Sequence, residues 1–199
     1  MNKSFIISGS GGQGILLIGK IFANICMLNN FFVTYNPCYG AEIRGGAVNC
    51  QINVSDEELY VVKNDTVDCA ITLNQDSFDK FLPKVKSGGT IIANSSLIKE
   101  EKTREDIYYN FLPFTQEANR CGNAKLANSL ALGVLNNLLG NTDLNKVKQA
   151  YEIALLNKTD LIEQNFEAYQ IGYNFIPKEQ QWHSERKLLQ SILKLQKIQ

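Results

Sequence analysis

The stretch Ser4-Phe5-Ile6-Ile7-Ser8, followed by Gly9-Ser10-Gly11-Gly12-Gln13-Gly14, decides the fold of this 199-residue chain. Residues 4–8 are a short apolar run that ends in glycines, which predicts a buried strand. From Gln13 to Leu28 the apolar side chains recur at helical spacing, and residues 31–35 are rich in aromatic and β-branched residues. A strand, a glycine turn, a helix and a second strand in this order indicate a parallel sheet covered by helices.

The rest of the chain continues this α/β pattern and then becomes helical. We predict strands at residues 47–54, 59–62, 67–73, 90–93 and 106–111, a loop at 37–46, a turn at 87–89, and helices at 76–81, 126–138, 144–155 and 161–173. Residues 177–199 place leucines and isoleucines beside lysines after a proline, which predicts a detached amphipathic helix. The sequence therefore predicts an α/β domain of three layers with a mostly parallel sheet at residues 1–176, and a C-terminal helical extension at residues 177–199.

Composition and charge exclude several classes of function. Lys plus Arg total 20 and Asp plus Glu total 20, so the sequence shows no basic surface for nucleic acid or lipid. We find no apolar run that would span a bilayer and no signal-peptide pattern in the first residues. Five scattered cysteines and one histidine, His183, favour neither a disulfide framework nor an iron–sulfur or zinc site. We expect a soluble cytoplasmic protein with no catalytic residue and no metal site of its own.

The glycine motif Gly9-x-Gly11-x-x-Gly14 has two interpretations. Between a strand and a helix, such glycines let the backbone approach a phosphate at the helix N-terminus, or they only let the helix and strand pack closely. The dinucleotide-binding fingerprint also requires an acidic residue about 20 residues further on, to hold a ribose hydroxyl. Tyr35-Asn36-Pro37 occupies that place without a carboxylate, which argues against an ordinary NAD site.

Two further motifs also have a binding and a structural interpretation. In Arg44-Gly45-Gly46, the guanidinium suits a phosphate or carboxylate, but it also suits an ion pair with a nearby acid such as Glu42. Thr72-Leu73-Asn74-Gln75 ends a predicted strand, where ligands collect in open α/β sheets. Asn74 there is equally suited to cap the helix that follows, and we expect capping first.

A fourth motif, Gly122-Asn123-Ala124-Lys125-x-x-Asn128, opens the helical part of the chain. Asn123 is placed to cap a helix. Lys125 and Asn128 are three residues apart, so we expect them on one helix face, which is either solvated or in contact with a partner.

In their order and spacing, the four motifs resemble the gamma subunits of 2-oxoacid:ferredoxin oxidoreductases. The quoted residues include Tyr39-Gly-Ala-Glu-Ile-Arg-Gly-Gly46 and Leu73-Asn-Gln-x-Ser-Phe-Asp-Lys-Phe81, and the resemblance covers roughly residues 3–173. Residues 39–50 are more similar to the 2-oxoglutarate type than to the pyruvate type. The pyruvate and 2-oxoisovalerate types, a stand-alone nucleotide-binding protein and a purely structural subunit remain alternatives.

The resemblance implies a Rossmann-like domain in an enzyme that decarboxylates a 2-oxoacid on thiamine diphosphate, reduces ferredoxin through iron–sulfur clusters and releases an acyl-coenzyme A. It implies that alpha- and beta-type subunits hold the thiamine diphosphate, and that the clusters lie in the beta subunit and a ferredoxin-like subunit. This chain would hold no cofactor alone, would contact coenzyme A or a partner chain, and would be inactive in isolation. The resemblance places the contact residues around a crevice at the strand ends. They are Gly9, Gly11, Gly12, Gln13, Gly14, Arg44, Gly45, Gly46, Asn74, Gln75, Asn123 and Lys125. Lys125 stands where the family often has arginine. Lysine keeps the positive charge but lacks the bidentate geometry of arginine, which weakens the expectation that Lys125 clamps a phosphate.

Overall fold

The computed structural model describes residues 2–39, 47–60, 62–100, 102–140, 143–156 and 158–176. Arg44, Gly45, Gly46 and the predicted helix at 177–199 lie outside the described residues. The strands are β1 (Asn2–Ser10), β2 (Phe32–Tyr39), β3 (Ala47–Ser55), β4 (Val67–Thr72), β5 (Val85–Asn94) and β6 (Tyr108–Leu112). The α-helices are α1 (Ile15–Leu28), α2 (Gln75–Phe81), α3 (Phe114–Arg120), α4 (Ala127–Leu138), α5 (Leu144–Ala154) and α6 (Thr159–Tyr173). Leu82–Lys84 and Ala124–Leu126 are short 3₁₀ helices.

The six strands form one mixed sheet in the order β2-β3-β1-β4-β5-β6. The pairs β1–β4, β4–β5 and β5–β6 are parallel, whereas β3 runs antiparallel to both of its neighbours, β1 and β2. The predicted unit of strand, glycine turn, helix and strand is present, but β3 lies between β1 and β2. The mostly parallel α/β prediction is therefore confirmed, with one antiparallel strand inserted beside β1.

Helices cover both faces of the sheet and complete the three layers. On one face, Phe5 and Ile7 of β1 pack in a buried cluster with residues of α1, α3, α4, α5 and α6. On the other face, Ile6 and Ala70 pack in a second cluster with Phe78 of α2. Because successive residues of a strand point to opposite faces, the continuous apolar run at residues 5–7 supplies both cores. Within the described part of the chain, no helix has the length and apolar character needed to span a membrane.

A carboxylate joins three parallel strands near their amino ends, opposite the glycine turn. Asp68 of β4 accepts hydrogen bonds from Ser4 N and Ser4 Oγ of β1, each at 2.9 Å, and from Lys86 Nζ of β5 at 2.8 Å. Burial raises the pKa of Asp68, but the hydrogen bonds from Lys86 and Ser4 outweigh it and hold the pKa below the usual aspartate value. The ionised form of Asp68 therefore stabilises the fold.

Helices α4 and α6 cross with their backbones in contact. A Cβ atom added to Gly133 would meet the carbonyl oxygen of Tyr169, and one added to Gly172 would meet the carbonyl oxygen of Leu130. Two glycines at the crossing therefore let the helices approach more closely than side chains permit. This contact fixes the position of α4, whose first turn reaches the glycine motif.

Three local predictions were wrong. Residues 59, 60 and 62 are not in a strand; instead Gln51 and Asn53 of β3 donate to main-chain carbonyls of Asn64 and Val62, at 3.0 and 3.2 Å. Residues 37–39 extend β2 rather than beginning the loop, and residues 87–89 lie within β5 rather than in a turn. The pairing of β5 with β4 shifts register there, from Val67–Val85 to Cys69–Thr90, so residues 86–89 form a bulge in which Gly88 takes a positive φ of 74°. Helix α3 was not predicted: its N-cap, Pro113, makes no side-chain cap, whereas Asn74 marks the start of the equally short α2.

Candidate functional site

The glycine motif forms a tight turn at the carboxyl ends of β1 and β4. Gly12 and Gly14 have positive φ values of 95° and 72°, and Gly14 is the N-cap of α1. Leu73 N, just beyond β4, donates to Ser8 O at 2.9 Å, which brings the ends of the two strands together. The turn therefore lies where open α/β sheets place their ligands.

The Gln13 side chain folds back over the turn. Its Oε1 accepts a hydrogen bond from Ser10 N at 2.7 Å, and its Nε2 donates to Leu73 O at 3.3 Å. A Cβ added to Gly9 would meet this Oε1 atom. The first glycine is thus required by the packing of the Gln13 amide, and Gln13 ties the turn to the end of β4.

A second amide reaches the turn from α4. Asn128 is 4% exposed, and its Nδ2 donates to Gln13 O at 3.0 Å. A Cβ on Gly14 would meet that same Nδ2. A Cβ on Gly12, by contrast, would have no atom within 4 Å. The packing interpretation therefore applies to Gly9 and Gly14, whereas Gly12 is exposed and presents its backbone to the outside of the turn.

Asn74 and Gln75 differ in their relation to the turn. Asn74 Oδ1 accepts from Ser77 N at 3.1 Å, which confirms the predicted cap of α2, and its Nδ2 donates to Ser10 Oγ at 2.6 Å. Gln75 instead accepts from Lys99 N at 2.9 Å and donates to Asp79 at 2.8 Å. Asn74 is therefore part of the glycine-turn cluster, and the described contacts of Gln75 lead away from it.

Asn94 completes the cluster and was missed from the sequence. This buried residue ends β5; its Nδ2 donates to Thr115 Oγ1 at 2.8 Å and lies 3.4 Å from Leu73 O, while its Oδ1 accepts from Thr115 N at 3.2 Å. The signal was available, since Asn94 directly follows the predicted strand at 90–93, as Asn74 follows the predicted strand at 67–73. We define the amide cluster as Gln13, Asn74, Asn94 and Asn128.

Asn123 and Lys125 lie on a different feature of the surface. Asn123 Oδ1 caps the 3₁₀ helix by accepting from Lys125 N at 3.0 Å, and the Lys125 side chain is exposed. Lys125 is exposed whereas Asn128 is 4% exposed, so the prediction that the two share one face, solvated or in contact with a partner, was wrong. Asn123 lines a cleft of about 440 Å³ with Cys121, Gly122, Leu126, Gln164, Glu167, Ala168 and Ile171.

Arg44, Gly45 and Gly46 lie outside the described residues, so their predicted place beside the turn stays a prediction. Gly11 lies in the turn itself. The structure thus brings together Gly9, Gly11, Gly12, Gln13, Gly14 and Asn74 from the predicted set. It adds Asn94 and Asn128 to them.

The amide cluster is neutral, and so are the hydroxyls of Ser10 and Thr115 to which it donates. Nearby, Tyr35 donates from its hydroxyl to Leu16 O at 3.0 Å, and burial raises the pKa of Tyr35 to about 12. Burial likewise raises the pKa of the Cys50 thiol to about 12, so neither group exchanges a proton at neutral pH. Among the described residues, no three His, Cys, Asp or Glu side chains group as metal ligands would. The cluster is therefore suited to binding rather than to proton transfer.

The start of α1 suits an anion better than a cation. Gly14 gives α1 no side-chain cap, and its first turn contains no acidic residue. The unpaired N–H groups at a helix N-terminus favour a phosphate or carboxylate. The residues present at the turn therefore fit a phosphate group, with Gly12 leaving open space for its approach.

Comparison with known proteins gives the family. The family model described as pyruvate ferredoxin/flavodoxin oxidoreductase matches residues 4–175. This chain belongs to that family. The 2-oxoglutarate synthase subunit KorC of Methanocaldococcus jannaschii is 32% identical over 178 residues, which are 87% of this chain and 93% of that subunit. The ketoisovalerate oxidoreductase subunit VorA of Methanothermobacter thermautotrophicus is 30% identical over 167 residues, 83% of this chain but only 35% of the relative.

Solved structures agree with this family assignment. The gamma subunit of a keto/oxoacid ferredoxin oxidoreductase from Geobacter sulfurreducens has a TM-score of 0.71 at 26% identity, over 86% of this chain and 96% of that one. A chain of the 2-oxoglutarate:ferredoxin oxidoreductase from Magnetococcus marinus has a TM-score of 0.78 over 86% of this chain, but this chain spans only 30% of it. At 24% identity, that second likeness concerns the fold. The resemblance predicted from the four motifs is confirmed.

Proposed function

We propose that this chain is the gamma-type subunit of a 2-oxoacid:ferredoxin oxidoreductase. The observation that carries the proposal is the correspondence with the M. jannaschii KorC subunit, which extends over 93% of that subunit rather than over a fragment of it. The chemistry of the glycine turn supports the same role. Its cluster of amides and hydroxyls can bind and orient a ligand, but it contains no group that would act as a general acid or base at neutral pH.

The 2-oxoacid in this proposal is 2-oxoglutarate. KorC relatives from M. jannaschii and Archaeoglobus fulgidus, both called 2-oxoglutarate synthase subunits, are 32% and 30% identical to this chain. This chain spans 93% and 84% of those two relatives but 35% of the VorA relative. Because this chain matches the KorC relatives over most of their length, the comparison favours the 2-oxoglutarate type. Pyruvate and 2-oxoisovalerate are the substrates to compare with 2-oxoglutarate.

In the assembled enzyme, the glycine turn would contact coenzyme A. The exposed backbone of Gly12 and the uncapped start of α1 fit one of its phosphates, and Arg44 would add a bidentate donor to the same ligand or to a partner chain. Coenzyme A supplies the thiol that accepts the acyl group. Thiamine diphosphate and the iron–sulfur clusters would be held by alpha-type, beta-type and ferredoxin-like partners, with ferredoxin as the electron acceptor. The proposal includes a cytoplasmic location, which suits free, unpaired cysteines.

The test is reconstitution. This chain is co-expressed under anaerobic conditions with the alpha-, beta- and ferredoxin-like chains of the same organism, and the purified assembly is assayed for coenzyme A-dependent reduction of ferredoxin. We expect the highest kcat/KM with 2-oxoglutarate, lower values with pyruvate and 2-oxoisovalerate, and no turnover by the isolated chain. An assembly that oxidises none of the three acids contradicts the proposed function, and a preference for pyruvate or 2-oxoisovalerate contradicts only its substrate.

A nucleotide titration separates the remaining alternative. A stand-alone dinucleotide-binding protein would bind NAD or FAD tightly in isolation. We expect no tight complex with either, because the place of the ribose-binding acid is held by Tyr35 and Asn36 and because β3 separates β2 from β1. Tight binding of either dinucleotide by the isolated chain would favour that alternative.

A further inference from the structure

We infer that Asn128 is a positioning residue, which holds the glycine turn in the form that binds coenzyme A. The inference rests on the proposed function and names a residue that would act through Gln13 rather than touch the ligand. It begins from an unusual contact in the fold: a buried side chain on α4 donates to a main-chain carbonyl 115 residues earlier in the sequence.

Asn128 is itself firmly placed. It lies on the first turn of α4 and is 4% exposed, and its Oδ1 lies 3.2 Å from Ser129 Oγ. Ser129 Oγ lies 2.8 Å from Asn165 Oδ1, and Asn165 Nδ2 donates to Leu161 O at 2.8 Å within α6. The donor that meets the turn is therefore supported by the contact between α4 and α6.

The bond from Asn128 acts on the peptide that begins α1. Gln13 O accepts it at 3.0 Å, and this carbonyl belongs to the same peptide as the N–H of Gly14. Gly12 and Gly14, on either side of Gln13, both have positive φ. Because glycine has no Cβ, the backbone at these two positions can also adopt other conformations. Without Asn128, no described bond holds the Gln13 carbonyl, so the Gly14 N–H, which belongs to the same peptide at the start of α1, is held less firmly in its direction.

Ligand affinity is the property that such a loss would change. Donors that must be ordered when a ligand binds contribute less to affinity than donors that are already oriented. The side chain of Gln13 bonds to Ser10 N and Leu73 O, and its main-chain N donates to Ser10 O at 3.2 Å. Among the described bonds, only the one from Asn128 reaches the Gln13 carbonyl. Asn128 would therefore affect the binding of coenzyme A more than the binding of the 2-oxoacid, which reacts on the partner chains.

The experiment compares two asparagines of α4 in the reconstituted holoenzyme. Asn136 is also buried and its Nδ2 donates to a side chain, Tyr169 Oη, at 3.2 Å, so Asn136→Ala removes a comparable amide away from the turn. For Asn128→Ala we expect the KM for coenzyme A to rise about tenfold, with the KM for the 2-oxoacid changed by less than about twofold. For Asn136→Ala we expect neither constant to change beyond about twofold.

Equal KM values for coenzyme A in the two variants would overturn the inference, since both would then act only through stability. If the Asn128→Ala subunit does not assemble, Asn128→Ser provides the same test, because its hydroxyl leaves a smaller cavity but is too short to reach Gln13 O. An unchanged KM in an assembled Asn128→Ser enzyme overturns the inference equally. A wild-type assembly that is inactive on every 2-oxoacid contradicts the proposed function instead, so the two failures are distinguishable.

Discussion

Replacing Gly14 by alanine perturbs two features of the glycine turn together. Gly14 is left-handed, with φ of 72°, so any Cβ there is strained. That Cβ would also meet Asn128 Nδ2. The Asn128 side chain would then have to move away from Gln13 O, to which it donates. Gly14→Ala should therefore break the hydrogen bond that Asn128→Ala removes, and the two substitutions should not act independently.

The magnitudes follow from these contacts. The left-handed conformation costs alanine about 1–2 kcal/mol. Displacing Asn128 leaves a buried donor and acceptor without partners, which costs roughly 1–3 kcal/mol more. Gly14→Ala should thus lower the free energy of unfolding by about 2–5 kcal/mol, and Asn128→Ala by about 1–3 kcal/mol. In the double variant the new Cβ has room, so its loss should be about 1–3 kcal/mol smaller than the sum of the single losses.

Urea unfolding of the isolated chain, followed by circular dichroism, measures the free energy of unfolding of the wild type, the two single variants and the double variant. Gly12→Ala is the matched control, because Gly12 is left-handed but its added Cβ would contact nothing within 4 Å. Gly12→Ala should show the strain alone, about 1–2 kcal/mol, and should be additive with Asn128→Ala. Additive losses for Gly14→Ala and Asn128→Ala would refute the argument that Asn128 occupies the Cβ position of Gly14.

Two other features of the fold give predictions on stability. Asp68→Asn should lower the free energy of unfolding by about 2 kcal/mol at pH 7. Because the folded pKa of Asp68 is lowered, this loss should persist at every pH above the unfolded value of about 3.9 and shrink as the pH falls through the folded pKa. Gly172→Ala should destabilise the chain by about 1–2 kcal/mol, although alanine gains roughly 1 kcal/mol of helix propensity, because its Cβ meets the backbone of α4.

Each of these two predictions has a control on the same kind of element. Asp79→Asn changes an exposed aspartate of α2 that accepts only from Gln75 among its described bonds, and it should cost less than about 0.5 kcal/mol. Gln164→Ala on the exposed side of α6 should be neutral or slightly stabilising. An Asp68→Asn loss that stays constant down to pH 2, or a Gly172→Ala chain as stable as wild type, would contradict the corresponding argument.

Local sequence patterns predicted most of the fold because each depends on nearby residues. The apolar run at 5–7 and the helical spacing after Gln13 predicted β1 and α1 within two residues. The position of β3 was not predictable in this way. Its apolar residues alternate with polar ones, although residues 50–55 are all buried. Its place between β1 and β2 depends on pairing with two other strands, which no local pattern encodes.

The candidate site was predicted in its glycines and in two of its four amides, and it was missed in Asn94 and Asn128. Gln13 and Asn74 lie inside recognisable motifs, so their position at a strand end was predictable. Asn128 was expected on one face with Lys125, solvated or against a partner chain, whereas it is buried and donates to Gln13 O. A contact across 115 residues requires the tertiary fold, and a single sequence does not contain it.

The contacts of the glycine motif change the reason why glycine is required at each of its positions. In a dinucleotide-binding turn, glycines are required because the pyrophosphate and the adjacent strand approach the backbone. Here Gly9 and Gly14 are required because the amides of Gln13 and Asn128 occupy the space of their side chains. The strict part of the motif therefore supports the turn from inside, while Gly12 remains open on the outside. It follows that alanine at Gly9 or Gly14 should damage folding first. A larger side chain at Gly12 should instead weaken the proposed contact with coenzyme A, so these positions would separate the structural role of the motif from its proposed binding role.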